Sequence, residues 1–137
     1  MVTAVDTSVL LDVLLNDSQH CATSMAALRT ASEEGSLVIC ETTLAEIVPA
    51  LPANDVGSFL SDWNLHFTPS SRESGVLAGE MFRLYLQRGG KRGRVVPDFL
   101  IAAHAQHHGD RLLARDRGYY RDYFKALNLW DPSQVSR

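Results

Sequence analysis

Residues 94–120 read RVVPDFLIAAHAQHHGDRLLARDRGYY, and the order of signals within them decides the fold. Pro97 fixes a helical φ where a missing N–H costs nothing. A helix is therefore expected from about Asp98 to His108, with Gly109 at its C′ position. Residues 111–114 then supply the short apolar run of a buried strand, and residues 119–127 the pattern of another helix. Each junction carries a charge: Asp98 heads the run FLIAA, and Asp116 closes the run LLA.

The same grammar runs outward from this stretch. Residues 2–5 form a strand candidate, followed by Asp6-Thr7-Ser8 and a helical VLLDVLL, with Thr7 or Ser8 as the expected N-cap. Cys21, Met25, Leu28 and Ala31 recur at helical spacing within residues 17–34, which Gly35 closes. LVIC (37–40) reads as a second strand. Thr43-Leu-Ala-Glu46 opens the helix after it, broken by Pro49 and Pro52. A short helix at 55–63, a third strand at 65–68, a long helix at 72–88 and a last strand at Leu129-Trp130 complete the chain. Strands alternating with helices predict an α/β fold: a central, mostly parallel sheet of four to five short strands flanked by helices on both faces, as a single domain over 1–137.

The 137 residues suffice for a core without disulfides or metal staples, and 45% apolar against 21% charged residues places the chain among globular proteins. Cys21 and Cys40 lie in no metal-binding spacing and are expected to be reduced core thiols of a cytoplasmic protein. No run approaches the ~20 apolar residues of a membrane span. Net charge is −3, yet residues 83–125 hold ten basic and four acidic residues, so this segment is +6 and the remainder −9. An Arg-rich cluster with the flexible, Gly-spaced RGGKRGR is the footprint of phosphate contacts, although a solvated loop of paired surface charges gives the same pattern.

In a parallel α/β sheet the ligand site lies beyond the carboxyl ends of the strands. Asp6 ends the first strand and Asp116 lies just past the fourth. Glu46 falls in the first turns of the helix after the second strand, and Asp98 opens the helix that leads to the fourth. All four can converge on one edge. Each also has an ordinary reading: Asp98 complements a helix dipole, Thr43-x-x-Glu46 is a capping box, and Asp6 and Asp116 suit turns. A carboxylate cluster requires protons or a cation, and hard oxygen ligands without Cys or His select Mg²⁺ or Mn²⁺. Such an ion beside an Arg-rich surface suits hydrolysis of a phosphodiester, by lowering the pKa of a water and neutralising charge on phosphate.

Other constellations carry less. HAQHH places His104 and His108 at i, i+4, but Ala105 stands where H-E-x-x-H needs Glu, and histidines suit a helix C-terminus. Dinucleotide, P-loop and serine-hydrolase motifs are absent. Thr7 and Ser8 are expected to be caps or donors supporting Asp6. Tyr119, Tyr120, Tyr123 and Phe124 could stack on bases, but their spacing suits a packed helix face, with Phe124 in the core.

VDTSVLLDVLL, the Thr-x-x-Glu helix, VVPDFLIAAHA and LLARDRGYYRDYF together resemble the PIN-domain ribonucleases, specifically the VapC-type toxins of type II toxin–antitoxin systems. The resemblance spans nearly the whole chain and is most specific over residues 95–124. It implies a PIN-like three-layer fold and an Mg²⁺- or Mn²⁺-dependent endoribonuclease whose four acids match Asp6, Glu46, Asp98 and Asp116. On this reading Asp6, Asp98 and Asp116 hold metal, Glu46 helps place metal or activates water, and Thr7 and Ser8 support them. Arg92, Arg94, Arg115 and Arg117 would meet RNA phosphates. A homodimer within a larger complex is implied, neutralised by a VapB-like antitoxin whose C-terminal segment occupies the acidic groove. The family usually has Thr or Ser where this chain has Ala114, and some members have an acid where it has Gly118.

Two other classes compete. Aspartyl phosphotransferases also place an Asp at the end of the first strand, but the phosphatase pattern D-x-D meets Ser8 here, and the acid pair and late Lys of receiver domains are not apparent. A degenerate PIN domain would bind RNA or an antitoxin without cleaving, a reading to which Ala114 lends weight.

Overall fold

The structure, a computed structural model, describes residues 1–115 and 118–136. Asp116 and Arg117 lie outside the described residues. Five strands, β1 (Val2–Val5), β2 (Ser36–Ile39), β3 (Leu65–Phe67), β4 (Arg111–Leu113) and β5 (Leu129–Trp130), form one sheet in the order β3-β2-β1-β4-β5. Every pairing is parallel, with Thr3 opposite both Leu37 and Arg111.

Helices α1 (Thr7–Leu14), α2 (Cys21–Glu34), α3 (Glu41–Ile47), α4 (Val56–Asp62), α5 (Arg72–Gln87), α6 (Val96–His108) and α7 (Tyr119–Tyr123) cover the sheet, with a 3₁₀ turn at Val48–Ala50. A parallel sheet needs apolar cover on both faces. The strand residues divide accordingly. Ala4, Val38 and Leu112 pack with Phe99, Ala102, Ala105 and Phe124 from the α5–α7 side. Val5, Leu37, Ile39 and Leu113 pack with Val9, Leu10, Leu28, Ala31 and Ile47 from the α1–α4 side. Successive residues of a strand point to opposite faces, so each strand feeds both cores.

β1 is central and has β2 on one side and β4 on the other. The chain leaving β1 enters α1, in one core layer, and the chain after β4 leads to α7, in the other. The two connections thus diverge at the carboxyl edge and leave a crevice between them, the topological switch point where α/β sheets bind ligands. At the opposite edge Arg111 is fully buried. Its guanidinium donates to Thr3 Oγ1 (2.8 Å), Ser136 Oγ (2.6 Å) and Glu34 Oε2 (2.7 Å), and lies 4.4 Å from the Trp130 ring centroid. One cation of the basic segment is therefore structural and not a surface charge.

Several local expectations change. The N-cap of α1 is Asp6, whose Oδ2 accepts from the Ser8 N–H at 3.0 Å, and Thr7 is already helical. Residues 17–20 are not helical: Asp17 Oδ1 accepts from the N–H groups of Gln19 and His20, and α2 begins at Cys21. Helix α3 begins at Glu41, so Thr43 is buried inside it and no capping box forms with Glu46. Helix α7 stops at Tyr123 rather than reaching residue 127. Cys40 is a buried free thiol as expected, whereas Cys21 is half-exposed and free.

Two histidines of HAQHH serve packing. His104 is 1% exposed, and its Nε2 donates to the Thr68 carbonyl at 2.7 Å; His107 Nδ1 bonds the Ser74 hydroxyl at 2.9 Å. Burial holds the His104 pKa below its ordinary 6.5, outweighing the Thr68 carbonyl, which pulls the other way. The unfolded chain therefore takes up a proton at a higher pH than the folded one. The contribution of neutral His104 is complete above about 6.5 and is lost as pH falls through that value toward the depressed folded pKa. The thermal midpoint is expected to fall between pH 7 and pH 5, and His104→Gln, which keeps a donor for Thr68, to reduce that slope. An unchanged slope in the variant would assign the effect to other groups.

Candidate active site

A cleft of about 230 Å³ opens at this crevice, lined by Asp6, Thr7, Ser8, Leu11, Glu46, Arg94, Asp98, Arg115, Tyr119 and Tyr120. Three of the four acids singled out in the sequence thus face one space, delivered by three elements. Asp6 caps α1 at the end of β1, Glu46 sits near the end of α3, and Asp98 lies in the first turn of α6. Asp116 falls outside the described residues.

Asp6 is only 5% exposed and is held on both oxygens. Oδ2 accepts from the Ser8 N–H and the Ser8 hydroxyl, and Oδ1 from the Tyr120 hydroxyl at 2.5 Å. Such charge-assisted bonds fix the plane of the carboxylate. Glu46 Oε1 accepts from the Thr7 hydroxyl at 2.7 Å, and the Thr7 and Thr43 hydroxyls are 3.3 Å apart. The capping-box reading of Glu46 thus gives way to a contact between two elements. Thr43 was visible in the sequence as a cap; its contribution to this contact was not.

The basic residues divide. Arg94 is exposed and lines the cleft. Arg115 also lines it, but its guanidinium makes a two-pronged ion pair with Asp12: Nε to Oδ2 at 3.0 Å and a terminal nitrogen to Oδ1 at 2.6 Å. Asp12 is 3% exposed and also accepts from the Ser24 hydroxyl at 2.7 Å. The Arg115 N–H donates to the Ser8 hydroxyl at 3.3 Å, joining this network to Asp6. Arg92 is exposed, with its guanidinium 5.8 Å from the centroid of the Phe82 ring; Arg88 lies 5.3 Å from that of Tyr123. The Tyr85 hydroxyl donates to the Lys91 carbonyl, which ties the Gly-spaced loop to an aromatic cluster. Arg117 lies outside the described residues.

Asp12 and Tyr120 are the site residues that sequence reasoning missed. A carboxylate inside VLLDVLL was a detectable anomaly, because an acid on an apolar helix requires a partner. Tyr120 carried no signal beyond an aromatic spacing. Phe124, expected in the core, is 2% exposed.

The lining offers carboxylates and hydroxyls, with no thiol or imidazole. This donor chemistry fits a hard divalent cation. Among the described residues no three His, Cys, Asp or Glu side chains are drawn into a tight metal-holding group.

A five-stranded parallel sheet with acids gathered at the carboxyl edge of its central strands defines an α/β protein with an acidic ligand cleft. The PIN domain family model matches residues 3–125, and the chain belongs to the PIN domain family. Solved structures agree in fold. A chain of VapBC2 from Rickettsia felis, bound to a DNA fragment from their promoter, superposes with TM-score 0.71 at 20% identity, covering 96% of this chain and 98% of that one. VapBC-1 from nontypeable Haemophilus influenzae gives 0.73 at 14% identity, with 98% and 100% covered. FitAcB from Neisseria gonorrhoeae gives 0.64 at 19%, with 97% and 99% covered. No curated protein matches the sequence. No helix among the described residues is long and apolar enough to cross a membrane.

Proposed function

We propose that the protein is a metal-dependent endoribonuclease, the VapC-type toxin of a toxin–antitoxin pair, and that it hydrolyses RNA phosphodiester bonds in the acidic cleft. The observation that carries this reading is the convergence of Asp6, Glu46 and Asp98 on one cleft with Arg94 at its wall. Membership of the PIN domain family and the likeness in fold to chains of VapBC complexes support it.

Asp6 and Asp98, with Asp116, would hold Mg²⁺ or Mn²⁺. When bound, the ion lowers the pKa of a water and neutralises charge on the phosphate. The chain itself supplies orientation and charge. Ser8 and Tyr120 fix Asp6 and Thr7 holds Glu46; Glu46 would take the attacking water's proton, and Arg94 at the cleft wall would meet a phosphate oxygen. Arg92 extends the cationic surface along the RNA backbone. The partner proposed is a VapB-like antitoxin, placing a basic side chain in the same cleft, with the toxin as a homodimer in the complex.

Attack by water leaves no role for the RNA 2′-hydroxyl and forms no cyclic phosphate; with P–O3′ as the proposed scissile bond, O3′ leaves and the products carry 5′-phosphate and 3′-hydroxyl ends. Total RNA incubated with antitoxin-free protein and Mg²⁺ should yield discrete fragments with such ends, and EDTA should suppress them. Cyclic 2′,3′-phosphate ends would overturn the mechanism, and intact RNA under every condition would favour a PIN domain that only binds.

A further inference from the structure

We propose that Tyr120 is a positioning residue for Asp6: its buried hydroxyl holds one carboxylate oxygen while Ser8 holds the other, setting the orientation in which Asp6 presents the remaining Oδ1 lone pair to the cleft. This inference rests on the metal-dependent reading above.

The geometry is specific. Tyr120 is 4% exposed and Asp6 5%, and their sequence separation of 114 residues means that only the tertiary fold brings them together. The Tyr120 O–H donates to Oδ1 at 2.5 Å, and the Ser8 N–H and O–H both donate to Oδ2. Opposed donors on the two oxygens remove the rotation about χ2 that a singly held Asp keeps. Oδ2 accepts two bonds and has both its lone pairs engaged, whereas Oδ1 accepts one and keeps the other, so the clamp orients the group and leaves Oδ1 its capacity as a ligand.

Tyr120 is itself placed. It lies on α7, which begins after Gly118 at φ 102°, a conformation that L side chains rarely adopt. Upstream, the Asp12–Arg115 pair fixes the chain just after β4, and the Arg115 N–H donates to the same Ser8 hydroxyl that holds Asp6. Arg115 just after β4 thus supports the Ser8 side of the clamp, and α7 the Tyr120 side. A binding carboxylate's outer partners typically contribute 10- to 100-fold in metal affinity.

The test is Mn²⁺ binding to the antitoxin-free full chain, read from the electron paramagnetic resonance of the free ion, with no substrate present. Tyr120→Phe keeps the ring in the core, and Tyr123→Phe removes a hydroxyl from the same helix as a control. The expected result is roughly 10- to 100-fold weaker Mn²⁺ binding by Y120F and unchanged binding by Y123F, at preserved circular dichroism. Y120F binding as tightly as wild type would overturn the proposal. Wild type binding no Mn²⁺ would instead sink the metal-dependent reading. Should Y120F not hold its fold, nuclear magnetic resonance of the wild type decides: a slowly exchanging Tyr120 hydroxyl proton supports the clamp, and one exchanging as fast as a solvated phenol overturns it.

Discussion

Asp6→Asn is expected to lower Mg²⁺-dependent RNA cleavage at least about a hundredfold while the protein stays folded; loss of even an outer partner of a metal-binding carboxylate costs about 10- to 100-fold. The fold should survive because Asn is as good an N-cap as Asp, so the cap on Ser8 N is retained. What changes is charge and polarity. One carboxylate oxygen becomes an NH₂ that must face either the Ser8 or the Tyr120 hydroxyl, and the cleft loses a negative charge. The measurement is initial cleavage rate on one defined RNA with circular dichroism on the same samples. Wild-type cleavage by the variant would move the chemistry out of this cleft.

Arg115→Ala is expected to cost about 3 kcal/mol of stability, lowering the thermal midpoint by roughly 10 °C in a chain of this size. Asp12 is 3% exposed, and without its partner it keeps, among the described residues, only the Ser24 hydroxyl as a side-chain donor. The figure sits at the low end for breaking a buried pair because the Arg115 side chain is 36% exposed and solvent screens part of the interaction. An Asp12→Leu/Arg115→Met double variant should recover much of the loss, because it leaves no buried charge unpaired. Arg94→Ala provides the contrast. It should leave the midpoint unchanged and weaken RNA binding, with the salt dependence of log K reduced by about one unit, as for one phosphate contact. If Arg115→Ala proved as stable as wild type and defective only in RNA binding, the ion pair with Asp12 would not be what holds that side chain.

The placement of Glu46 illustrates how a residue that lines the cleft can be found through an incomplete local argument. Thr43-x-x-Glu46 has the spacing of a capping box, yet α3 starts two residues earlier and its N-cap is Cys40, without a side-chain cap. With no cap to serve, Glu46 reaches Thr7 on α1. Arg115 lines the cleft as well, with a partner that local reading leaves out. Its charge suggested a phosphate contact, while a buried Asp 103 residues away claims the guanidinium. Charge can be read from sequence, but its partner cannot.

The sequence by itself determined the alternation of strands and helices, the parallel α/β class and the position of Asp6 and Asp98 at element ends, because hydrophobic period and capping chemistry act over a few residues. Tertiary structure alone decided the strand order, the burial of Arg111 beneath Trp130, the Asp12–Arg115 pair and the Tyr120 hydroxyl on Asp6. These contacts join residues 19 to 114 positions apart in a packed interior, where a donor's partner is fixed by which elements meet and not by local spacing.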